Sequence, residues 1–352
     1  MDSSIFALAL LIIALVLLFD FSNGFNDSAP VVAAVISSGA MSPRNALLAT
    51  AVFEFAGAYL LGTAVAVMIG TGVVDPRVVS PQIILVAVLA AIAWNVMAWY
   101  RAVPTSSSHA LIGGLIGAAV AGSGAESIQW FNVLKMYEVL IISPLLGFAI
   151  AFALTRGTLA MLRRVRPTTA NLALLRLQPW AAFGLAMSHG SNDAQKGMGL
   201  IAIALFLLYP LAPGAIGALY GTGAGGSFAV PNWVIGACSM AIALGMATGG
   251  WRIIRTLGGG LYRIRPIHGF SSQVSSAAII YASAVAGFPV STSQIASSSI
   301  IGAGAAQRLN AVRWSPVRQM LVAWVITIPS AAAASAMIYW TGRWIGSILG
   351  VG

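Results

Sequence analysis

Long apolar segments separated by short polar ones extend along almost the whole chain. The segments lie at 4–22, 28–40, 44–70, 82–101, 107–123, 133–155, 172–190, 195–211, 231–250, 270–287, 289–306 and 317–347. Most of them are close to or above the roughly 20 residues that a helix needs to cross a bilayer. This pattern predicts an all-α polytopic membrane protein.

The composition agrees with this prediction. Of the 352 residues, 59% are hydrophobic and 7% are charged, and the mean hydropathy is +0.91. Soluble domains carry about 25% charged residues, so a soluble fold is excluded. The first segment lacks a basic start and a cleavage site of small residues, which indicates a retained helix and not a removed signal peptide. The single cysteine, Cys238, excludes an internal disulfide.

The net charge of +10 comes mainly from three groups of arginines. They are Arg156, Arg163, Arg164, Arg166 and Arg176, then Arg252, Arg255, Arg263 and Arg265, then Arg308, Arg313 and Arg318. In a membrane protein such groups mark cytoplasmic loops. No dense basic run lies beside aromatic residues, so nucleic acid is not an expected partner.

Two motifs occur twice and in the same order. NGFNDSAP at 23–30 resembles HGSNDAQK at 189–196, with an offset of 166 residues. PTSSSHALIGGLIGAAVA at 104–121 resembles PVSTSQIASSSIIGAGAA at 289–306, with an offset of 185 residues. The chain is therefore predicted to be an internal duplication. Its repeats are expected at 1–155 and 172–352, joined by a basic cytoplasmic linker at 156–171.

The topology follows if each Asn-Asp motif interrupts its helix as a broken or re-entrant segment. Each half then crosses the membrane five times, and the odd number of crossings inverts the second half relative to the first. With both termini outside, the three arginine groups fall in the cytoplasm. We therefore expect two inverted repeats with about 10–12 membrane segments, an architecture typical of secondary transporters with a midplane site.

The repeated motifs carry polar groups that are expensive in a membrane, which makes an ion pathway the default explanation. In NGFND and HGSND, Asn and Asp offer oxygens to a cation, and Gly permits an irregular turn. In PTSSS and PVSTS, hydroxyls precede a new helix. They serve either as N-caps or, with the free amides of the helix start, as an anion site. Anion-binding helix starts beside buried carboxylates need a bridging cation or protons, which indicates a cation-coupled anion symporter.

Three further charged residues lie in or near apolar segments. Glu54 lies in the middle of AVFEFAGAYLLG, where a purely structural role is unexpected. Lys196 is either the ion-pair partner of Asp193 or a contact of the anion. Asp20, near the end of the first segment, is either interfacial or functional.

The motifs together resemble one known family. FDFSNGFNDSAP, PTSSSHALIGGLIGAA, SHGSNDAQKGMG, GWRIIRTLGGGLYRIRPIHGF and PVSTSQ follow the order seen in the inorganic phosphate transporter (PiT) family, from Phe19 to about Trp340. SHGSNDAQK is most similar to the bacterial low-affinity branch. The resemblance implies import of phosphate, free or as a metal–phosphate complex, driven by Na⁺ or H⁺ across the cytoplasmic membrane of a bacterium. It also implies a homodimer by analogy.

The same resemblance implies the site residues. The phosphate contacts would be Ser106, Ser107, Ser108, Ser291, Thr292, Ser293, Asn26 and Asn192. The cation-coupling residues would be Asp27, Asp193, Asn23, Glu54 and Gln273, with Na⁺ at Asp27 and Asp193. Apart from the coupling ion, no cofactor and no catalytic residue are expected.

Three positions depart from the family pattern. Members commonly have Asn at the position of Pro30, Glu at Gln273 and His at Gln294. Because glutamine does not titrate, neither glutamine can carry a proton, although a glutamine carbonyl can still ligate Na⁺. The coupling ion and its stoichiometry therefore stay open at this point.

Three other functions fit these residues less well. A symporter for sulfate or another oxyanion is the nearest alternative, but sulfate has no proton to donate to buried acceptors such as Asp27 and Asp193. A passive channel is a different class; Asp at both motifs is unusual for a neutral-solute pore. An enzyme is not expected, because the adjacent Ser188 and His189 with Asp193 match a triad only by residue type.

Overall fold

The computed structural model describes residues 2–221 and 228–348, and these residues are almost entirely helical. The α-helices are α1 (Asp2–Ser37), α2 (Pro43–Leu60), α3 (Ala64–Gly72), α4 (Pro81–Arg101), α5 (Ser107–Ser123), α6 (Trp130–Met161), α7 (Pro167–Leu208), α8 (Pro213–Tyr220), α9 (Asn232–Thr248), α10 (Trp251–Gly259), α11 (Pro266–Val285), α12 (Thr292–Gln307) and α13 (Trp314–Ile348). The predicted all-α class is confirmed.

The order of these helices repeats. In each half a long helix with an Asn-Asp motif comes first (α1, α7) and a bent pair comes later (α2–α3, α9–α10), with the additional short helix α8 before the second pair. A further helix (α4, α11), a short helix beginning at the Pro-Ser/Thr motif (α5, α12) and a long final helix (α6, α13) complete each half. The chain between α6 and α7 is only 162–166, which is shorter than the predicted linker at 156–171.

Helices of each half pack against helices of the other half, and these contacts are reciprocal. The short helix α5 of the first half packs on α13, and α12 of the second half packs on α6. Likewise α2 packs on α7 while α9 packs on α1. Each half therefore completes the other, and the core lies between them.

Several helices are long and apolar enough to cross a membrane. Among the described residues α1, α4, α6, α7 and α13 qualify alone, and the pairs α2–α3 and α9–α10, bent by 69° and 64°, qualify if each is counted as one span. The three remaining longer helices are too short or too rich in serine to qualify. Exposed apolar side chains such as Leu145, Val325 and Trp344 cover the outer surface, as expected for a surface in contact with lipid.

The prediction that the Asn-Asp motifs break their helices is wrong. α1 continues through Asn26-Asp27 and even through Pro30, and α7 continues through Asn192-Asp193. The glycines of these motifs serve close packing and not a turn: a Cβ on Gly24 would overlap the Ile242 carbonyl. The bends fall instead within the pairs α2–α3 and α9–α10.

Close helix contacts at glycine predict a sharp effect on stability. A Cβ on Gly57 of α2 would overlap the Met187 carbonyl of α7, whereas Gly157 of α6 faces open space. Gly57→Ala should lower the free energy of unfolding by about 1–3 kcal/mol, because overpacking displaces a neighbouring backbone. Gly157→Ala should leave it unchanged or raise it by up to about 1 kcal/mol through helix propensity. Thermal midpoints of the two detergent-purified variants check this; equal midpoints would contradict the packing.

Candidate anion and cation site

The starts of α5 and α12 meet inside the protein. Ser108 donates its hydroxyl hydrogen to the carbonyl of Val290 at 2.7 Å, and Ser293 donates to the carbonyl of Thr105 at 3.0 Å. These two bonds are equivalent, because both pairs of residues are related by the repeat offset of 185. The two helix starts are thus held together around a local two-fold axis.

His109 and Gln294 are also equivalent by this offset, and they contact each other. The amide nitrogen of Gln294 lies 3.4 Å from Nδ1 of His109, which also lies 2.6 Å from Oγ of Ser106. Both side chains are nearly fully buried. The two residues therefore mark the position of the axis between the helix starts.

Two carboxylates from different halves approach these helix starts. Thr292 donates to Oδ2 of Asp193 at 3.1 Å and lies 3.4 Å from Oδ2 of Asp27. The Ser293 hydroxyl also lies 3.0 Å from Oδ1 of Asp27, an alternative acceptor for its hydrogen. Oxygens of Asp27 and Asp193 and a ring nitrogen of His189 all lie within 4.8 Å of one another, an arrangement that could hold a metal ion.

His189 joins three acidic side chains. Its Nδ1 lies 2.5 Å from Oε1 of Glu54, and its Nε2 lies 3.7 Å from Oδ2 of Asp27 and 3.5 Å from Oδ2 of Asp193. The equivalent residue in the first half is Asn23, 166 positions earlier, which donates to Oδ2 of Asp193 at 3.2 Å. Each half therefore extends a nitrogen group to the aspartate of the other.

Lys196 follows Asp193 by one helical turn and is completely buried. Its Nζ lies 2.6 Å from Oδ1 of Asp193 and 3.3 Å from the carbonyl oxygen of Val290. Of the two roles that the sequence leaves open, the ion pair with Asp193 is the one present in the structure.

Comparison with known proteins identifies the family. The profile described as the phosphate transporter family matches the chain twice, over residues 23–176 and 160–335. The chain belongs to the phosphate transporter family. The two matched ranges together cover residues 23–335.

Individual relatives agree with this assignment. A probable low-affinity inorganic phosphate transporter of Rhizobium meliloti (strain 1021) is 40% identical over 340 residues, which cover 96% of this chain and 98% of the relative. A protein of the same name from Bacillus subtilis (strain 168) is 40% identical over 334 residues, covering 94% and 96%. A solved structure described as the sodium-dependent phosphate transporter has the same fold, with a TM-score of 0.81 at 21% identity over 96% of this chain and 100% of that one.

The six hydroxyls predicted as phosphate contacts in this transporter have different environments. Ser106 and Ser291 are N-caps that accept hydrogen bonds from the backbone N–H of His109 and Gln294. Ser108 and Ser293 bond to the opposite helix start, as described above. Within the described residues, the Ser107 hydroxyl makes no hydrogen bond and is available to a ligand.

The helix starts themselves also offer donors. The first N–H groups of a helix have no carbonyl four residues earlier in that helix to bond to, and the positive end of the helix dipole lies at the same place. Ser107 and Ser108 on α5, with Thr292 and Ser293 on α12, therefore present backbone N–H groups beside their hydroxyls. This arrangement suits an oxyanion.

The remaining predicted residues lie around this centre and form hydrogen bonds to backbone groups. Asn26 donates to the carbonyl of Asn95 at 2.9 Å. Asn192 donates to the carbonyl of Phe288 at 3.0 Å and accepts from the N–H of Val290 at 3.1 Å. Asn192 thus fixes the chain before α12, whereas Asn26 connects α1 to α4. Gln273 on α11 donates to the carbonyl of Val31, one turn beyond Asp27, at 3.0 Å.

The transport role of His189 is not evident from the motifs alone. A usable signal was present, because the offset that pairs Asp27 with Asp193 also pairs Asn23 with His189. Asp20 is buried: its carboxylate lies on α1 against Gly197, with the Cys238 thiol as a polar neighbour.

Proposed function

We propose that this family member is a secondary active symporter that imports inorganic phosphate with Na⁺ or H⁺ by alternating access across the bacterial cytoplasmic membrane. The observation that carries the proposal is the meeting of two helix starts with two buried carboxylates. The helix starts supply donors for an oxyanion, and Asp27 and Asp193 supply acceptors for a cation. The names of the relatives support phosphate as the substrate.

Electrostatics explains why the anion needs a co-substrate. Two like charges about 4 Å apart repel by about 4 kcal/mol at an effective dielectric constant of 20. An oxyanion at the helix starts would face both Asp27 and Asp193, which share the Thr292 hydroxyl. A sodium ion among these oxygens, or a proton on one of them, removes this repulsion. Binding of anion and cation is therefore mutually dependent, which is the requirement for coupling.

The surroundings of the carboxylates also favour phosphate over sulfate. Phosphate carries a proton at neutral pH that it can donate to a buried carboxylate, whereas sulfate carries none. Asp27 is buried. A proton donated by phosphate would neutralise its carboxylate, whereas hydrogen bonds from neighbouring hydroxyls would leave the charge in place. Sulfate is therefore the informative competitor in a transport assay.

The reciprocal packing of the halves supports alternating access. Because α5 and α12 each pack on the last helix of the other half, one half can rock against the other while the site stays at their interface. The inverted orientation of the halves and the homodimer stay predictions.

Uptake into proteoliposomes tests this function. We expect radiolabelled phosphate to accumulate when a Na⁺ gradient or a pH gradient is imposed, and to saturate with substrate concentration. The gradient that drives accumulation identifies the coupling ion. Downhill flux without saturation would indicate a channel, and accumulation of sulfate without phosphate would contradict the assigned substrate.

A further inference from the structure

Lys196 distinguishes the two halves of the site. Its side chain is 0% exposed, and its ammonium nitrogen lies 2.6 Å from a carboxylate oxygen of Asp193 and 3.3 Å from the carbonyl oxygen of Val290. A carboxylate oxygen and a backbone carbonyl oxygen are also ligands that proteins offer to hard cations. The ammonium group therefore lies where a bound cation would neutralise Asp193.

The first half has no such group. The residue equivalent to Lys196 by the repeat offset is Pro30, which has neither a charge nor an N–H. Asp27 is contacted instead by the hydroxyls of Thr292 and Ser293 and, at 3.7 Å, by Nε2 of His189. Asp27 therefore lacks a lysine or arginine partner in the described part of the chain, whereas Asp193 has one.

Burial also favours an ammonium group that stays with Asp193. Lys196 and Asp193 are both 0% exposed, and their ion pair is 2.6 Å long. Asp20 of α1 is buried as well, against Gly197, the residue next to Lys196. Because a buried charge is stable only when it is paired, the ion pair with Asp193 favours an ammonium group that stays at this place.

We infer that Lys196 is a tethered cation that remains with Asp193 during transport, so that a mobile coupling cation binds only on the Asp27 side. This inference rests on the proposed function and concerns its stoichiometry. The competing role for Lys196 is direct contact with the anion, in which case its loss would weaken phosphate binding under all cation conditions.

The test compares wild type, Lys196→Gln and Lys135→Gln in proteoliposomes. The charge carried per phosphate is obtained from the membrane potential at which net phosphate flux vanishes under fixed gradients. Lys196→Gln leaves Asp193 without its cation, so we expect one further positive charge to move with each phosphate. Lys135 is the only other lysine in the sequence and is exposed on α6, so Lys135→Gln should behave as wild type.

An unchanged charge per phosphate in Lys196→Gln would overturn the inference. If this variant does not transport, phosphate binding to the purified protein is followed by thermal shift while Na⁺ concentration and pH are varied. We then expect binding to return at higher Na⁺ concentration or lower pH; absence of binding under all conditions would assign Lys196 to the anion. Failure of wild type to take up phosphate would contradict the proposed function, and the binding titration would still test Lys196 separately.

Discussion

Asp27→Asn should abolish ion-coupled phosphate uptake and leave the protein folded. Asparagine has nearly the same volume. Its side-chain oxygen can still accept a hydrogen bond from the Ser293 hydroxyl, which lies 3.0 Å from the Asp27 carboxylate in the wild type. What it lacks is the negative charge that attracts Na⁺ or the basic oxygen that accepts a proton. Because Asp27 has no lysine or arginine partner in the described residues, we expect a mobile cation to neutralise this charge.

Two measurements check this result. Gradient-driven phosphate uptake should fall to the level of empty liposomes, while gel filtration and the thermal midpoint stay close to wild type. Glu126→Gln is the matched control, since Glu126 is exposed in the segment between α5 and α6 and should leave uptake unchanged. Wild-type uptake by Asp27→Asn with the same ion dependence would remove this carboxylate from the coupling mechanism.

Ser107→Ala combined with Thr292→Ala should weaken phosphate binding by at least about ten-fold, since a hydrogen bond to a charged group, such as one from the Ser107 hydroxyl, contributes about 1.5–3 kcal/mol. The two hydroxyls come from the first turns of α5 and α12. Alanine keeps the backbone N–H groups and favours the helix, so both helices should persist. The single variants separate two effects: Ser107→Ala removes only a ligand donor, whereas Thr292→Ala also removes the hydrogen bond to Asp193.

The affinity is measured as the concentration dependence of phosphate uptake and of thermal stabilisation by phosphate. Ser297→Ala provides the control, because Ser297 is buried on α12 further from its start and its hydroxyl has no partner among the described residues. Its affinity should equal that of wild type. An unchanged affinity in the double variant would mean that these hydroxyls serve only the helix starts.

The sequence predicts the class of fold well because hydrophobicity alone decides it. A chain with so few charged residues cannot cover a soluble core, and the lengths of its apolar segments match a bilayer. The duplicated motifs were equally informative, since their offsets pair Ser108 with Ser293 and Asp27 with Asp193 before any contact is known. The family assignment follows from the same motifs.

The sequence was misleading where one residue type has two physical uses. Glycine permits a turn and also permits close packing, so the sequence predicts breaks at Gly24 and Gly190, although both pack against neighbouring helices. Serine at a helix start caps that helix or binds a ligand. Only the spatial arrangement shows that Ser106 and Ser291 are caps while Ser107 has a hydroxyl without a partner.

The sequence by itself determined that the protein is a helical membrane protein and that two polar motifs occur twice in it in the same order. These properties depend on local hydrophobicity and on residue order. The tertiary structure decided which polar groups meet: the two helix starts face each other, His189 reaches Glu54 over 135 positions, and Lys196 neutralises Asp193 but not Asp27. Contacts between polar side chains of different halves depend on which helices pack together. The hydrophobic periodicity within either half does not specify that packing.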